Sequence, residues 1–341
     1  MKKIRGIWLL SFVTMGVVAM LLSTCKKDEE EDEVELPLLT TSGVYRITDN
    51  TASCGGEIAS VGGSAITEKG VCWSTTSMPG ITGNRTSDGA DSGSFVSSIT
   101  GLEANTKYYV RAYATNNDGT NYGNEQSFTT PPNVTDIDGN TYHTVRIGNQ
   151  VWMAENLRVS HYRNGDPVPE ISDGWEWGIA LSGACCEGSS TWAGTCGKLY
   201  NFYAAIDSRH LAPAGWHIPA DADWKILEGT VDSQYPVGDP EWDKTLSRGS
   251  DAGGKLKSTD SKWQVPNWGA TDESGFSALP GGYRHWDSGQ YLGNGYGAIF
   301  VTSTPFDETS SYCRAVFNDD AKITRTVESK QGGGSVRCIK D

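Results

Sequence analysis

Apolar and polar residues alternate most regularly in Lys107-Tyr108-Tyr109-Val110-Arg111-Ala112-Tyr113, where Tyr108, Val110 and Ala112 share one side and Tyr109, Arg111 and Tyr113 the other. A period of two predicts a strand with one face buried and the other wet. Ile58-Ala59-Ser60-Val61 and Gly70-Val71-Cys72-Trp73 read as further short strands. Gly, Asn and Ser clusters separate these runs at the spacing of a β-sandwich, which should occupy residues 38–131. Pro131-Pro132 then breaks any continuing strand. Val134 to Ile137 and Tyr142 to Ile147 flank Asp138-Gly139, a hairpin signal. An EF-hand reading of the same stretch would need a glutamate at the twelfth loop position and flanking helices, and neither is there. Helical signals come twice. Leu199 to Ala205 predicts a short first helix, and Trp224, Ile226, Leu227 and Val231 lie near helical spacing after Pro219, with Asp221 as the expected N-cap. Most of the remaining chain to Asp341 is Gly- and Ser-rich and predicts loops.

The amino terminus follows another pattern. Lys2, Lys3 and Arg5 precede an uncharged run from Ile7 to Leu22, about 16 residues against the roughly 20 of a spanning helix. This predicts a secretory signal over residues 1–24. Leu22-Ser23-Thr24-Cys25 resembles the bacterial lipobox, with Thr24 larger than the usual Gly or Ala, so Cys25 is the expected lipidation site and the membrane an expected partner. The acidic block behind Cys25 cannot bury apolar area and predicts a solvated tether over residues 25–37. Acid placed there resembles the export signal of Bacteroidetes lipoproteins, which implies the outer face of the outer membrane. The chain carries net charge −14, and loss of the signal's three cations leaves −17. Without a dense basic patch, nucleic acid is not expected as a partner. With 41 glycines and 10% aromatics, the composition points to β-structure and turns.

Gly101 to Asn116 resembles the late strands of a fibronectin type III domain, with Leu102, Thr106 and Tyr108 at the positions of its tyrosine corner and Ala104 where a proline is usual. Such domains usually act as spacers, and no site is assigned to this one. Further along come Gln150-Val151-Trp152-Met153-Ala154-Glu155-Asn156-Leu157, Gly197 to Ala205, Ala214-Gly215-Trp216-His217-Ile218-Pro219, Gly253-Gly254-Lys255-Leu256-Lys257, Ser274 to Arg284 and Gly334 to Asp341. In this order they resemble the Fibrobacter succinogenes major paralogous domain over residues 134–341. The resemblance implies a loop-rich fold like that of C-type lectins and formylglycine-generating enzymes. The expected fold class is therefore α+β, mostly β: a fibronectin type III-like sandwich followed by this head. Relatives often open the second helix with a Thr-x-x-Glu box; here Ala220 and Asp223 stand instead.

The resemblance also frames the chemistry. Ser310-Ser311-Tyr312-Cys313-Arg314 is similar to the catalytic strand of formylglycine-generating enzymes, whose copper needs two nearby thiolates. Asp307, Glu308 and Thr309 stand where the second should be, so no enzyme, metal or cofactor is expected. Calcium-binding lectins show Glu-Pro-Asn and Trp-Asn-Asp; this chain has Val265-Pro266-Asn267 and Phe317-Asn318-Asp319 and lacks the glutamate. Many relatives pair a cysteine before Gly-Trp-His-x-Pro with the terminal one, which implies Cys313 as a substitute partner for Cys338, a link worth roughly 3 kcal/mol. Cys186 with Cys196 and Cys54 with Cys72 are further disulfide candidates, leaving Cys185 over. Trp175, Trp177, Trp192, Trp263, Trp268, Trp286 and Tyr291 fall in predicted loops, where flat rings suit sugar faces. The leading expectation is a lipid-anchored surface protein that binds glycan or a surface protein; the alternative is a structural component of the cell surface.

Overall fold

A computed structural model describes residues 34–188 and 194–341, so the signal, Cys25, most of the tether and Trp192 lie outside the described residues. The sandwich contains β1 (Leu38–Thr41), β2 (Ile47–Thr48), β3 (Thr51–Ser60), β4 (Glu68–Ser74), β5 (Asn84–Arg85), β6 (Gly93–Thr100), β7 (Lys107–Asn116), β8 (Gly119–Tyr122) and β9 (Gln126–Thr129). One sheet is ordered β1-β3-β6; the other runs β5-β4-β7-β8, with β9 also on β7. Ala52, Cys54, Val71, Ile99, Val110 and Phe128 fill the space between them. The Tyr108 hydroxyl accepts from the Glu103 amide at 3.0 Å, which closes the tyrosine corner. Tyr113, expected on the wet face of β7, is fully buried because the segment around Thr86 lies over it and takes its hydroxyl proton at 2.6 Å.

The head begins with the expected hairpin, β10 (Val134–Thr135) against β11 (Thr141–Tyr142), its turn tied by Asp136 Oδ1 to the amides of Asp138 and Asn140. Next come β12 (Thr144–Ile147), β13 (Gln150–Met153), α1 (Gly174–Gly178), β14 (Cys185–Glu187), β15 (Lys198–Tyr200), α2 (Phe202–Ala205), β16 (Trp216–His217) and α3 (Asp221–Val231). The chain finishes with β17 (Leu246–Arg248), α4 (Ala252–Leu256), β18 (Tyr283–Arg284), β19 (Tyr291–Leu292), β20 (Gly297–Pro305), β21 (Ser310–Phe317), β22 (Ile323–Ser329), β23 (Gly334–Ser335) and β24 (Ile339–Lys340). A seven-stranded sheet runs β14-β15-β23-β20-β21-β22-β17. Between α3 and the sheets, Trp152, Trp224, Phe276 and Phe300 pack with ring centroids 5.3–5.7 Å apart.

The predicted first helix is shorter than expected, because Lys198–Tyr200 is drawn into the sheet as β15. In α3 the N-cap is Ala220 rather than Asp221, and Asp223 reaches back to the Ala220 amide at 2.8 Å. Asp221 is needed elsewhere, for ion pairs with Arg314 and Arg325. The buried face of α3 is Trp224, Leu227 and Glu228; Ile226 faces out. Glu228 lies between the fully buried guanidinium groups of Arg248 and Arg314.

Sandwich and head share a sheet. Its order is β16-β24-β13-β12-β2, so the sandwich supplies the edge strand, pairing Val145 with Thr48 and Arg146 with Ile47. Just before it, Arg46 adopts φ 51° and directs its guanidinium to the carbonyls of Thr271, Asp272 and Glu273. Asp49 N also bonds Thr144 O at 3.1 Å. The expected spacer is thus built into the head.

All seven described cysteines are buried and free, which corrects the three expected disulfides. Cys54 points between the two sandwich sheets beside Val71, whereas Cys72, next to Val71 in an alternating strand, points the other way, toward Pro79 O at 3.3 Å. Strand β20 intervenes between β21, which carries Cys313, and β23, which leads to Cys338. Cys186 packs with Trp177 and Leu199, while Cys196 lies against Gly281. With Cys25 blocked, native protein should react slowly with a thiol reagent, and denatured unreduced protein should yield seven thiols; a count of five or fewer would reveal a disulfide.

Candidate functional site

The head's loops are fastened by cations on backbone carbonyls, and this decides which aromatics face solvent. Lys257 Nζ is buried and donates to the carbonyls of Trp268, Phe317 and Asp320 at 2.7–2.8 Å. Burial pushes its pKa down to about 8, so it remains charged at neutral pH. The clamp draws the loop from Gln264 to Gly269 onto the turn after β21. Trp268 N bonds Asn318 O at 2.6 Å, Asn318 Nδ2 bonds Gln264 O at 3.1 Å, and Asn318 N bonds Tyr296 O at 2.8 Å. Gly254 permits the approach, since a Cβ there would lie 2.2 Å from Gly269 O.

The side chains above these bonds are left outside. Val265 is 87% exposed, Trp268 64% and Tyr296 56%, with Phe317 beside them at 37%. The bonds above bring the backbone of these four residues to one corner of the head. It joins the two segments compared above with calcium-binding lectin motifs, Val265-Pro266-Asn267 and Phe317-Asn318-Asp319. The positive charge among their carbonyls is the Lys257 ammonium. Among the described residues, no group of three or more His, Cys, Asp or Glu is placed to hold a metal.

A second cluster surrounds α1. Asp173 caps it by accepting from Glu176 N at 2.9 Å, and Arg284 donates to the carbonyls of Ile171, Ser172, Asp173 and Gly289. Trp177 is fully buried with its ring 4.5 Å from that guanidinium; half-buried Tyr291 covers the same cation at 5.2 Å. Trp175 points outward at 71% exposure, as do Ile179 and Leu181. Trp286 is 43% exposed on the loop against which Gly178 packs, where a Cβ would come within 2.6 Å of Asp287 O.

The predicted aromatics therefore separate into two roles. Trp175, Trp268 and Trp286 are available to a ligand. Trp177 and Trp263 are not: both are core residues, and Trp263 Nε1 bonds Ala278 O at 3.1 Å. Tyr291 is occupied by Arg284. Val265, Tyr296 and Phe317 were missed by reading for tryptophan in loops; Phe317 ends β21, and nothing in the sequence brings it near Trp268. Cys313 is buried and its thiol pushed up to about 12 by that burial, which leaves it neutral and poorly suited to thiolate chemistry.

A profile of the Fibrobacter succinogenes major domain matches residues 145–340. No curated protein matches the chain. Solved structures that are similar include the sensor domain of the anti-sigma factor RsgI4 in Pseudobacteroides cellulosolvens, at 16% identity over 28% of this chain and 95% of that one, with a TM-score of 0.23. The third fibronectin III domain of human KIAA0343 protein is 12% identical over 31% of this chain and 93% of that one, TM-score 0.23. A fibronectin type III domain of human KIAA0970 protein is 16% identical over 30% and 79%, TM-score 0.21.

Proposed function

The chain belongs to the Fibrobacter succinogenes major domain family, and from that premise we propose that it is a non-enzymatic surface protein, lipid-anchored at Cys25 in the outer membrane, that binds glycan through its head. The observation that carries this reading is the corner of Val265, Trp268, Tyr296 and Phe317, held outward by Lys257. Flat rings on a fixed backbone present C–H-binding faces with little ordering cost. We read the head as a lectin-like scaffold whose loops carry the contact residues.

The path of the chain supports display. Glu35 O accepts from Gly63 N and Asn116 Nδ2, at the end of the sandwich where β3 and β7 finish. The head is joined at the other end of β3, next to Thr48 and Thr51. Ten-residue strands thus separate Glu35 from the head by roughly 30 Å. No described helix is long and apolar enough to cross a membrane.

Trp268→Ala should leave the melting temperature unchanged and abolish the retention of full-length protein on the polysaccharides that wild type binds. Mass spectrometry of native protein should find acyl chains on an amino-terminal Cys25. A folded wild type silent across a broad polysaccharide array, or an unacylated chain that keeps residues 1–24, would sink the reading. Trp175, Ile179, Leu181 and Trp286 favour a second one, a structural subunit packed against another protein. Crosslinking on intact cells would then yield a partner in fixed stoichiometry.

A further inference from the structure

We propose that the groove between sandwich and head is a separate binding site, for a carboxylated sugar of the uronic acid type within a longer glycan. A cavity of about 430 Å³ opens there, lined among others by Tyr45, Arg46, Ile47, Arg146, Thr230 and Lys255. A second of about 480 Å³, lined by Val44, Ile47, Arg146 and residues 126–129, adjoins it. Arg146 borders both, so the two form one groove with a guanidinium at its middle. Each is within the size range of sites for small organic ligands.

Arg146 is distinctive in its lack of partners. Val145 and Ile147 point into the head's core, so alternation along β12 turns Arg146 toward the groove. Every other arginine of the head donates to a carbonyl, carboxylate or amide oxygen, as Arg158, Arg163, Arg209 and Arg284 do. The four remaining ones behave likewise. The guanidinium of half-buried Arg146 makes no hydrogen bond and no ion pair among the described residues. A guanidinium partly removed from water with its fork empty is matched by a planar carboxylate.

The surrounding charges reinforce this. Arg46 is committed to three carbonyls, and Lys255 to Val231 O, Ser233 Oγ and the Asp251 carboxylate at 3.4 Å, so neither offers free donors. Of the two acids in the lining, Asp232 accepts from the amides of Gln234, Tyr235, Ser250, Asp251 and Ala252. Those bonds fix its carboxylate in place and occupy its lone pairs. Glu273 is exposed and lies 3.9 Å from Lys255. The lining thus carries three cations, Arg46, Arg146 and Lys255, against the two carboxylates of Asp232 and Glu273, on a chain of net charge −14. Tyr45, 42% exposed, offers a ring face, and Val44 and Ile47 an apolar floor. A uronate combines a carboxylate with an apolar ring face. Inorganic phosphate has only the charge, and an elongated groove suits a chain of sugars.

The test is calorimetric titration of the full chain in detergent with galacturonate trisaccharide and with its neutral methyl ester. The acid should bind and the ester should bind at least tenfold more weakly. Arg146→Gln should lose at least tenfold for the acid and nothing for the ester, Arg146→Lys should retain part of the affinity, and Trp268→Ala should retain all of it. That last arm separates this site from the aromatic corner. Unchanged melting of Arg146→Gln excludes misfolding; if it melts lower, the Tyr45→Ala variant, expected to lose severalfold, serves in its place. Equal binding of acid and ester, full affinity in the arginine variants, no binding at millimolar trisaccharide, or equal binding of phosphate or a polyglutamate peptide would overturn the proposal.

Discussion

Replacing Glu228 with alanine should lower stability by about 3–5 kcal/mol, the usual consequence of removing one member of a buried ion pair. The carboxylate sits on the inner face of α3 and bridges Arg248 and Arg314, all three fully buried. Arg314 continues to Asp221, which also holds Arg325 at 2.8 Å. Without Glu228, Arg248 loses its only carboxylate partner among the described residues and is left beside Arg314, which keeps Asp221 alone. A loss of that size is a large share of a typical folding free energy and should reduce the melting temperature by roughly 10 °C. Asp243→Ala, which removes an exposed partner of Lys225, should leave the melting temperature almost unchanged. The same network predicts acid sensitivity. Burial acts to raise the pKa of Asp221, but hydrogen bonds from Arg325 and the charge of Arg314 outweigh it and hold the carboxyl well below its ordinary value. A depressed folded pKa means that the stability contributed is complete above about pH 4 and is lost as pH falls further. Denaturant midpoints at pH 6 and pH 3 should differ in the wild type and differ less in Asp221→Asn.

The second large effect concerns the sandwich. A head expressed from Val134 onward should melt at least 10 °C below the full chain, or aggregate. Such a fragment loses β2, exposing the edge of β12 as an open template for pairing. It also loses Arg46 and its hydrogen bonds to the 271–273 carbonyls. Charge-assisted hydrogen bonds at about 1.5–3 kcal/mol apiece, of which two of Arg46's three are solvent-exposed and so contribute little, and the partial burial of Ile47 place the loss at roughly 3–5 kcal/mol. Comparing calorimetric melts of full chain, fragment and Arg46→Ala would apportion it. A fragment as stable as the whole would show that the shared sheet contributes nothing.

What could be read from the residues was local. The tyrosine corner, the Asp-Gly hairpin and a helix after Pro219 depend on neighbours a few positions away, and all three are present. The shared sheet joins Ile47 to Arg146, far apart in sequence, and two residues of strand carry no periodicity. The same distance hid the site. Trp175 and Trp177, two residues apart on a five-residue helix, must point to opposite sides, but the sequence does not tell which side meets Arg284 and the core. The expected disulfides failed for a related reason: sequence gives the presence of thiols but not the side of a sheet each one occupies.

The carbonyl clamps have an evolutionary corollary. Lys257, Arg284, Arg163 and Arg46 grip main-chain oxygen, an atom that every amino acid supplies. The gripped segments can therefore exchange their side chains without surrendering their shape, much as antibody loops vary on a constant frame. Side chains at Val265, Trp268 and Tyr296 could therefore change while the cations beneath, Lys257 and Arg284 fully buried among them, keep the backbone in place.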